Sequence, residues 1–172
     1  GTLKVNGAVT GGIDGYMNLL VGLGLEKNLI QNKVFVDGQL LAGPSGGGGV
    51  DTGGGGTLQG SIGLRTDIGK EFQLKLAYGQ SFAPEGNFKS DFIEIGLSKK
   101  FDFINPENKE DQLYTITDSD RVHKFGFEVI NRTYFSPKKL DKNNKLYDKN
   151  FNLIGFKFTK NLFIISLYIH YI

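Results

Sequence analysis

Along most of this chain apolar and polar residues alternate one for one. In "TLKVNGAVT", Leu3, Val5, Gly7 and Val9 share one face, and Lys4, Asn6, Ala8 and Thr10 share the other. "YMNLLVGLGLEK" sets Met17, Leu19, Val21, Leu23 and Leu25 against Tyr16, Asn18, Leu20, Gly22, Gly24 and Glu26. "KVFVDGQLLA" sets Val34, Val36, Leu40 and Ala42 against Lys33, Asp37 and Gln39. The pattern continues with Leu58, Ile62, Leu64 and Ile68 against Gln59, Ser61, Arg65 and Asp67, then with Phe72, Leu74, Leu76, Tyr78 and Phe82 against Gln73, Lys75, Ala77, Gly79 and Ser81. It recurs with Ile93, Ile95, Leu97, Phe101 and Phe103 against Glu94, Gly96, Ser98, Lys100 and Asp102. Phe125, Phe127, Val129 and Phe135 then stand against Lys124, Gly126, Glu128 and Arg132. This is the period of a strand with one apolar face. No segment keeps the i, i+3, i+4, i+7 spacing of an amphipathic helix.

The last stretch, "FNLIGFKFTKNLFIISLYIHYI", reads as a hairpin around Thr159–Asn161, with Phe163, Ile165, Leu167, Ile169 and Tyr171 on one face of its final strand. That makes about nine strands of roughly 9–12 residues, near the length a tilted strand needs to cross a bilayer. The connections come in two sizes. Asp67–Glu71 and Thr159–Asn161 are tight, whereas Gly43–Thr57, Ala83–Ser90, Ile104–Val122 and Ser136–Asn150 are long and polar. In strict strand order, Ile104–Val122 falls on the short-turn side, and "DQLYTIT" within it reads as a further short strand. The expectation is an all-β fold, a single domain over residues 1–172: an antiparallel up-and-down β-barrel of about 8–10 strands with long polar loops at one rim.

"AGPSGGGGVDTGGGGTLQG" (residues 42–60) joins two of these strands. A phosphate-binding loop of the Walker type needs a Lys-Ser/Thr entering a helix. No Lys lies between Lys33 and Lys70, and no helical pattern follows. The stretch is read as a mobile or folded-over glycine loop at a barrel rim. Its length is expected to be expendable, because loop closure depends weakly on length. Gly22, Gly24, Gly60, Gly79, Gly96 and Gly126 are placed on the polar face, where small residues let a narrow barrel curve and its side chains interdigitate.

Composition narrows the chemistry. The chain has 25 Gly, 14 Phe and 7 Tyr but no Cys and no Trp, which excludes disulfides, zinc–thiolate sites and thiol catalysis. A net charge of +2 is too small to argue for nucleic acid. No run approaches the length of a transmembrane helix. The first residue is Gly1, which reads as a processed end, a tag scar or a fragment boundary.

The polar face carries both signs of charge: Lys4, Glu26, Asp37, Arg65, Asp67, Lys75, Glu94, Lys100, Asp102, Lys124, Glu128 and Arg132. In a narrow barrel these would pair across strands; on a soluble sandwich they would be wet. Lys99 and Lys157 stand out as charges among the apolar residues. Both are expected near a rim, where a lipid-facing lysine costs about 0–1 kcal/mol rather than the 2–4 of the midplane.

Candidate catalytic residues are sparse. His123 reads as a solvated residue at a strand start. His170 shares a face with Ser166 and Tyr168, but residues four apart on a strand are separated by about 13 Å, beyond the reach of a nucleophile and its base. The Asp118-Ser119-Asp120 group lacks the rest of a calcium loop. The "NRT" at Asn131 sits mid-strand and reads as an accidental glycosylation sequon. No catalytic, cofactor or metal site is assigned.

"IEIGLSKKFDF" (Ile93–Phe103) resembles the closing strand of bacterial outer-membrane β-barrel proteins, with its alternating apolar residues, a Gly-Leu-Ser core and a final aromatic. The chain continues for 69 residues beyond it and ends in "FIISLYIHYI". The resemblance implies insertion in the outer membrane of a Gram-negative bacterium, with outer-membrane lipid as partner, and carries over no catalytic residue. Lipid-A-modifying barrel deacylases use a His-x-Ser strand motif; here Ile172 stands where that serine would be. Three readings follow: an outer-membrane barrel with a structural, adhesive or limited-pore role; a soluble antiparallel barrel or sandwich binding a ligand or partner; and a membrane-embedded lipid hydrolase.

Overall fold

The computed structural model describes residues 2–12, 15–30, 33–69, 71–105, 121–135, 139–140, 143–147 and 149–164. The elements are all strands: β1 (Thr2–Gly12), β2 (Met17–Ile30), β3 (Val34–Gly46), β4 (Gly56–Ile68), β5 (Phe72–Phe82), β6 (Lys89–Asn105), β7 (Arg121–Tyr134), β8 (Lys139–Leu140), β9 (Leu146–Tyr147) and β10 (Phe151–Ile164). Eight of them close an antiparallel up-and-down barrel in the order β1-β10-β7-β6-β5-β4-β3-β2, while β8 and β9 form a separate two-stranded sheet in the connection from β7 to β10.

The pairing around the barrel is staggered. From Ile68, the path of partners runs through Phe72, Lys99, Phe127, Phe158, Gly7, Val21 and Ala42 and returns to β4 at Leu58 rather than at Ile68. This stagger is the shear that closure requires, and it tilts the strands against the barrel axis. One rim, here the turn rim, carries the connections 31–33 and 69–71 and the ends of β1 and β10 at Thr2 and Ile164; Gly69 supplies the left-handed residue (φ +70°) between β4 and β5. β6 ends and β7 begins at this rim too, at Asn105 and Arg121, as strict strand order requires, and "DQLYTIT" lies outside the described residues. The loop rim carries residues 47–55 and 83–88 and the ends of β7 and β10 at Tyr134 and Phe151.

Several sequence expectations are corrected. No hairpin forms at Thr159–Asn161: these residues lie inside β10, where Thr159 and Lys160 pair with β7 on one side and Asn6 and Val5 of β1 on the other. The polar triplet looks like a turn, but the alternation through Phe156, Lys157, Phe158 and Thr159 never breaks, and two neighbouring strands hold it extended. The strand that resembles a terminal one, Ile93–Phe103, is interior to the barrel order as part of β6, and closure is made by β10 on β1. Gly60 points outward, toward the Leu40 side chain, because it shares parity with Leu58 and Ile62.

Candidate functional site

The pleat sends alternate residues inward, and the buried charged side chains all belong to the inward set. Glu94 on β6 is the hub. Its carboxylate accepts from Arg132 Nη2 (2.5 Å) and Nε (3.0 Å) on β7 and from Lys157 Nζ (2.6 Å) on β10, and lies 3.5 Å from Lys75 Nζ on β5. Lys75 also reaches Asp37 on β3 at 3.0 Å. Arg65 on β4 crosses the lumen to Glu128 on β7 (3.3 Å) and lies 3.8 Å from both Asp37 and Glu26. Glu26, Asp37, Glu94 and Glu128 thus face Arg65, Lys75, Arg132 and Lys157, a balance of four against four among the described interior charges.

Neutral polar groups fill the gaps. Gln59 accepts from Arg132 Nη1 at 2.8 Å. Gln39, with its carbonyl turned to the two ammonium groups, accepts from Lys75 at 3.2 Å and Lys157 at 3.3 Å. The guanidinium of Arg132 also stacks 4.7 Å from the Phe92 ring centre. Glycines make the room: a Cβ on Gly96 would collide with the Glu128 carboxylate, and one on Gly79 with Phe92 and Ser61.

Lys157 is the main correction to the sequence reading. It is 1% exposed and points into the lumen, not toward a rim. Its neighbours Phe156 and Phe158 face outward, so period two carries Lys157 inward, where Glu94 compensates its charge. Lys99 does face outward, half-exposed and paired with Glu71 at 3.0 Å beside the β4–β5 turn. Asp67 and Lys100, expected inside, sit at the turn rim and pair there at 3.4 Å in contact with solvent. The side chains of Lys4, Asp102, Lys124 and His123 lie outside the described set, as do Asp118-Ser119-Asp120, Ser166, Tyr168 and His170. Asn131 is exposed on the outer face of β7.

Above the charges, toward the loop rim, an aromatic plug closes the barrel. Tyr16, Phe88, Phe92, Tyr134, Phe151 and Leu153 pack with Ala83 in one buried cluster, and the rings of Tyr134 and Phe151 stack at 4.8 Å. Phe92, Tyr134 and Phe151 share parity with Glu94, Arg132 and Lys157, so alternation alone would have placed them inside; their apolar character drew no notice in the sequence.

The glycine loop folds over this plug. Val50 packs on the aromatic cluster, Thr52 is buried and donates to the Ser45 carbonyl at 3.2 Å, and the Ser45 and Thr57 hydroxyls bond to each other. Asp51 ties the loop to its neighbour. Its backbone carbonyl accepts from the Phe88 amide at 3.0 Å, and its carboxylate accepts from Asn87 at 2.8 Å and the Gly53 amide at 3.1 Å. The bond from Asn87, seconded by the Gly53 amide, holds the Asp51 carboxyl below its ordinary range.

Glycine is required here for two reasons. Gly47, Gly48, Gly49, Gly53 and Gly55 all have positive φ, and a Cβ on Gly53 would stand 2.1 Å from the Glu85 carbonyl oxygen. Deleting Gly46–Gly49 is expected to leave the barrel folded, because it removes only the last residue of β3, Gly46, together with loop residues beyond the strand. It should also pull Val50 and Thr52 off the plug. Unchanged far-UV circular dichroism with increased acrylamide quenching of tyrosine fluorescence is the expected result; loss of the β spectrum would show that the cap is needed for closure.

Fold and site together define a closed eight-stranded antiparallel β-barrel with a charge-filled interior and an apolar exterior. Comparison of the chain with protein-family models, with curated proteins and with solved structures finds no match.

Proposed function

We propose that this protein is an outer-membrane β-barrel of a Gram-negative bacterium, with a closed lumen and a structural or adhesive role. One observation carries the reading: large apolar side chains are exposed around the whole circumference while the charges are sealed inside. Val9, Leu23, Leu40, Ile62, Leu76, Ile95, Val129 and Phe156 represent all eight barrel strands, and Leu40 and Ile62 are 73% and 62% exposed, whereas Glu94 and Arg132 are 0% exposed. A monomer in water exposes apolar patches of a few hundred Å² at most. In lipid the same surface is matched, and backbone polar groups are satisfied because the barrel has no edge.

Strand length and rim chemistry agree with this. The barrel strands run from 11 to 17 residues, enough to span a bilayer when tilted. The charged residues on the described outer face, Lys27, Lys89, Asp91, Lys99 and Lys160, lie toward one rim or the other. The cross-lumen ion pairs and the aromatic plug favour a structural or adhesive role over a pore, with the loop rim as the surface that would meet partners.

Membrane fractionation with a detergent-requirement test addresses localisation, and single cysteines address sidedness, since the chain has none of its own. Labels on Leu64→Cys and Leu74→Cys are expected to be quenched by brominated lipid, and labels on the inward Ala77→Cys and Ser98→Cys to be protected. Labels at 64 and 74 that are shielded from lipid would replace this reading with a soluble barrel.

A further inference from the structure

The outer face has a groove of about 440 Å³ where β6, β7, β10 and β1 meet. Gly7 forms its floor: the outward position that carries valine at Val9 is bare here, and nothing lies within 4 Å of where a Cβ would stand. Phe127 and Phe158 wall the groove, their rings 5.1 Å apart, and Phe101, Phe125 and Lys160 line its other end.

Strand register gives the groove a direction. Gly7 pairs with Phe158, and Phe158 with Phe127; two residues nearer the turn rim, Lys160 pairs with Phe125, and Phe125 with Phe101. The apolar floor therefore lies toward the middle of the barrel and the cation toward the turn rim. Lys160 Nζ sits 5.7 Å from the centre of the Phe125 ring and has no carboxylate partner among the described residues, whereas the neighbouring Lys99 is neutralised by Glu71 at 3.0 Å.

We propose that this groove binds one anionic phospholipid of the leaflet at the turn rim, its phosphate on Lys160 and an acyl chain along Gly7 between Phe127 and Phe158. The proposal rests on the membrane reading above. An ammonium on a lipid-facing wall with no carboxylate partner among the described residues calls for an anion, and the head-to-tail order of a phospholipid matches the cation-to-apolar order of the groove. Phenylalanines at the same level fit the aromatic girdle that flanks the apolar band of a membrane barrel.

The test uses the full chain in detergent, with bound phosphatidylglycerol and phosphatidylcholine counted by native mass spectrometry, and flotation with vesicles of the same two lipids. The native protein is expected to retain phosphatidylglycerol in preference. Lys160→Gln should lower that preference about fivefold, the effect of one lysine at an anionic surface. Lys99→Gln, already paired, should change it less than twofold. Gly7→Leu, or Gly7→Val if the leucine variant folds poorly, should reduce retention of both lipids by filling the floor. No preference in the native protein, or no change on Lys160→Gln or on filling Gly7, overturns the lipid site. If the native protein floats but shows no preference, the site alone fails. If it does not float, the membrane reading fails and the site with it.

Discussion

Glu94→Ala is expected to lower the unfolding free energy by about 3–5 kcal/mol, the cost of removing one partner from a buried ion-pair cluster. Arg132, Lys157 and Lys75 all converge on this carboxylate, and each is at most 1% exposed, so its loss leaves three cations facing one another with little water to screen them. The damage comes from the charges left behind more than from the lost bonds. Replacing Glu94 and Lys157 together by methionine should recover only part of the loss: it removes one stranded ammonium, but Arg132 still lacks its carboxylate partner. Urea unfolding of the refolded barrel, followed by tyrosine fluorescence, checks both. A change below about 1 kcal/mol in the single variant would mean that water reaches the interior and screens the cluster.

Leu76→Arg is expected to destabilise the protein in lipid by about 2–4 kcal/mol, the cost of a lipid-facing arginine at the midplane of a barrel. Leu76 lies mid-strand in β5, 57% exposed on the outer face between Leu64 of β4 and Ile95 of β6. The sign of the effect separates two environments. In water an exposed leucine exchanged for arginine costs little and improves solubility; in a bilayer the guanidinium must thin the membrane or reach for a headgroup. Unfolding measured in vesicles gives the answer, and an unchanged midpoint there would be evidence against a lipid-facing wall.

Much of the architecture was legible in the residues. Alternation around Leu64 and Arg65, around Leu76 and Lys75, and around Ile95 and Glu94 assigned these side chains to opposite faces, and all six lie so. The tight turn at Asp67–Glu71 and the long glycine connection were legible too. The errors arose where a local signal competed with long-range pairing. Thr159-Lys160-Asn161 has turn-like composition, yet β1 and β7 hold it as strand. Lys157 looked like a rim residue because its neighbours are phenylalanines, although parity alone would have turned it inward. The site was less legible, because its members come from seven strands. Nothing in a linear reading brings Glu94 of β6 to Lys157 of β10, or Arg65 of β4 to Glu128 of β7.

By itself the sequence determined the alternating stretches and their two faces, because a pleat of period two is a local property of the backbone. Which way those faces turn is a property of closure. Only the tertiary structure decided that the polar face lies inside, that eight strands suffice, and that β10 rather than β6 meets β1. The physical reason lies in the stagger. Once each strand is paired at a fixed register and the circuit returns from Ile68 to Leu58, the tilt and the set of side chains that share the lumen follow together. Glu94 then has three cations within reach, and Lys160 is left on the outer wall without a carboxylate partner among the described residues.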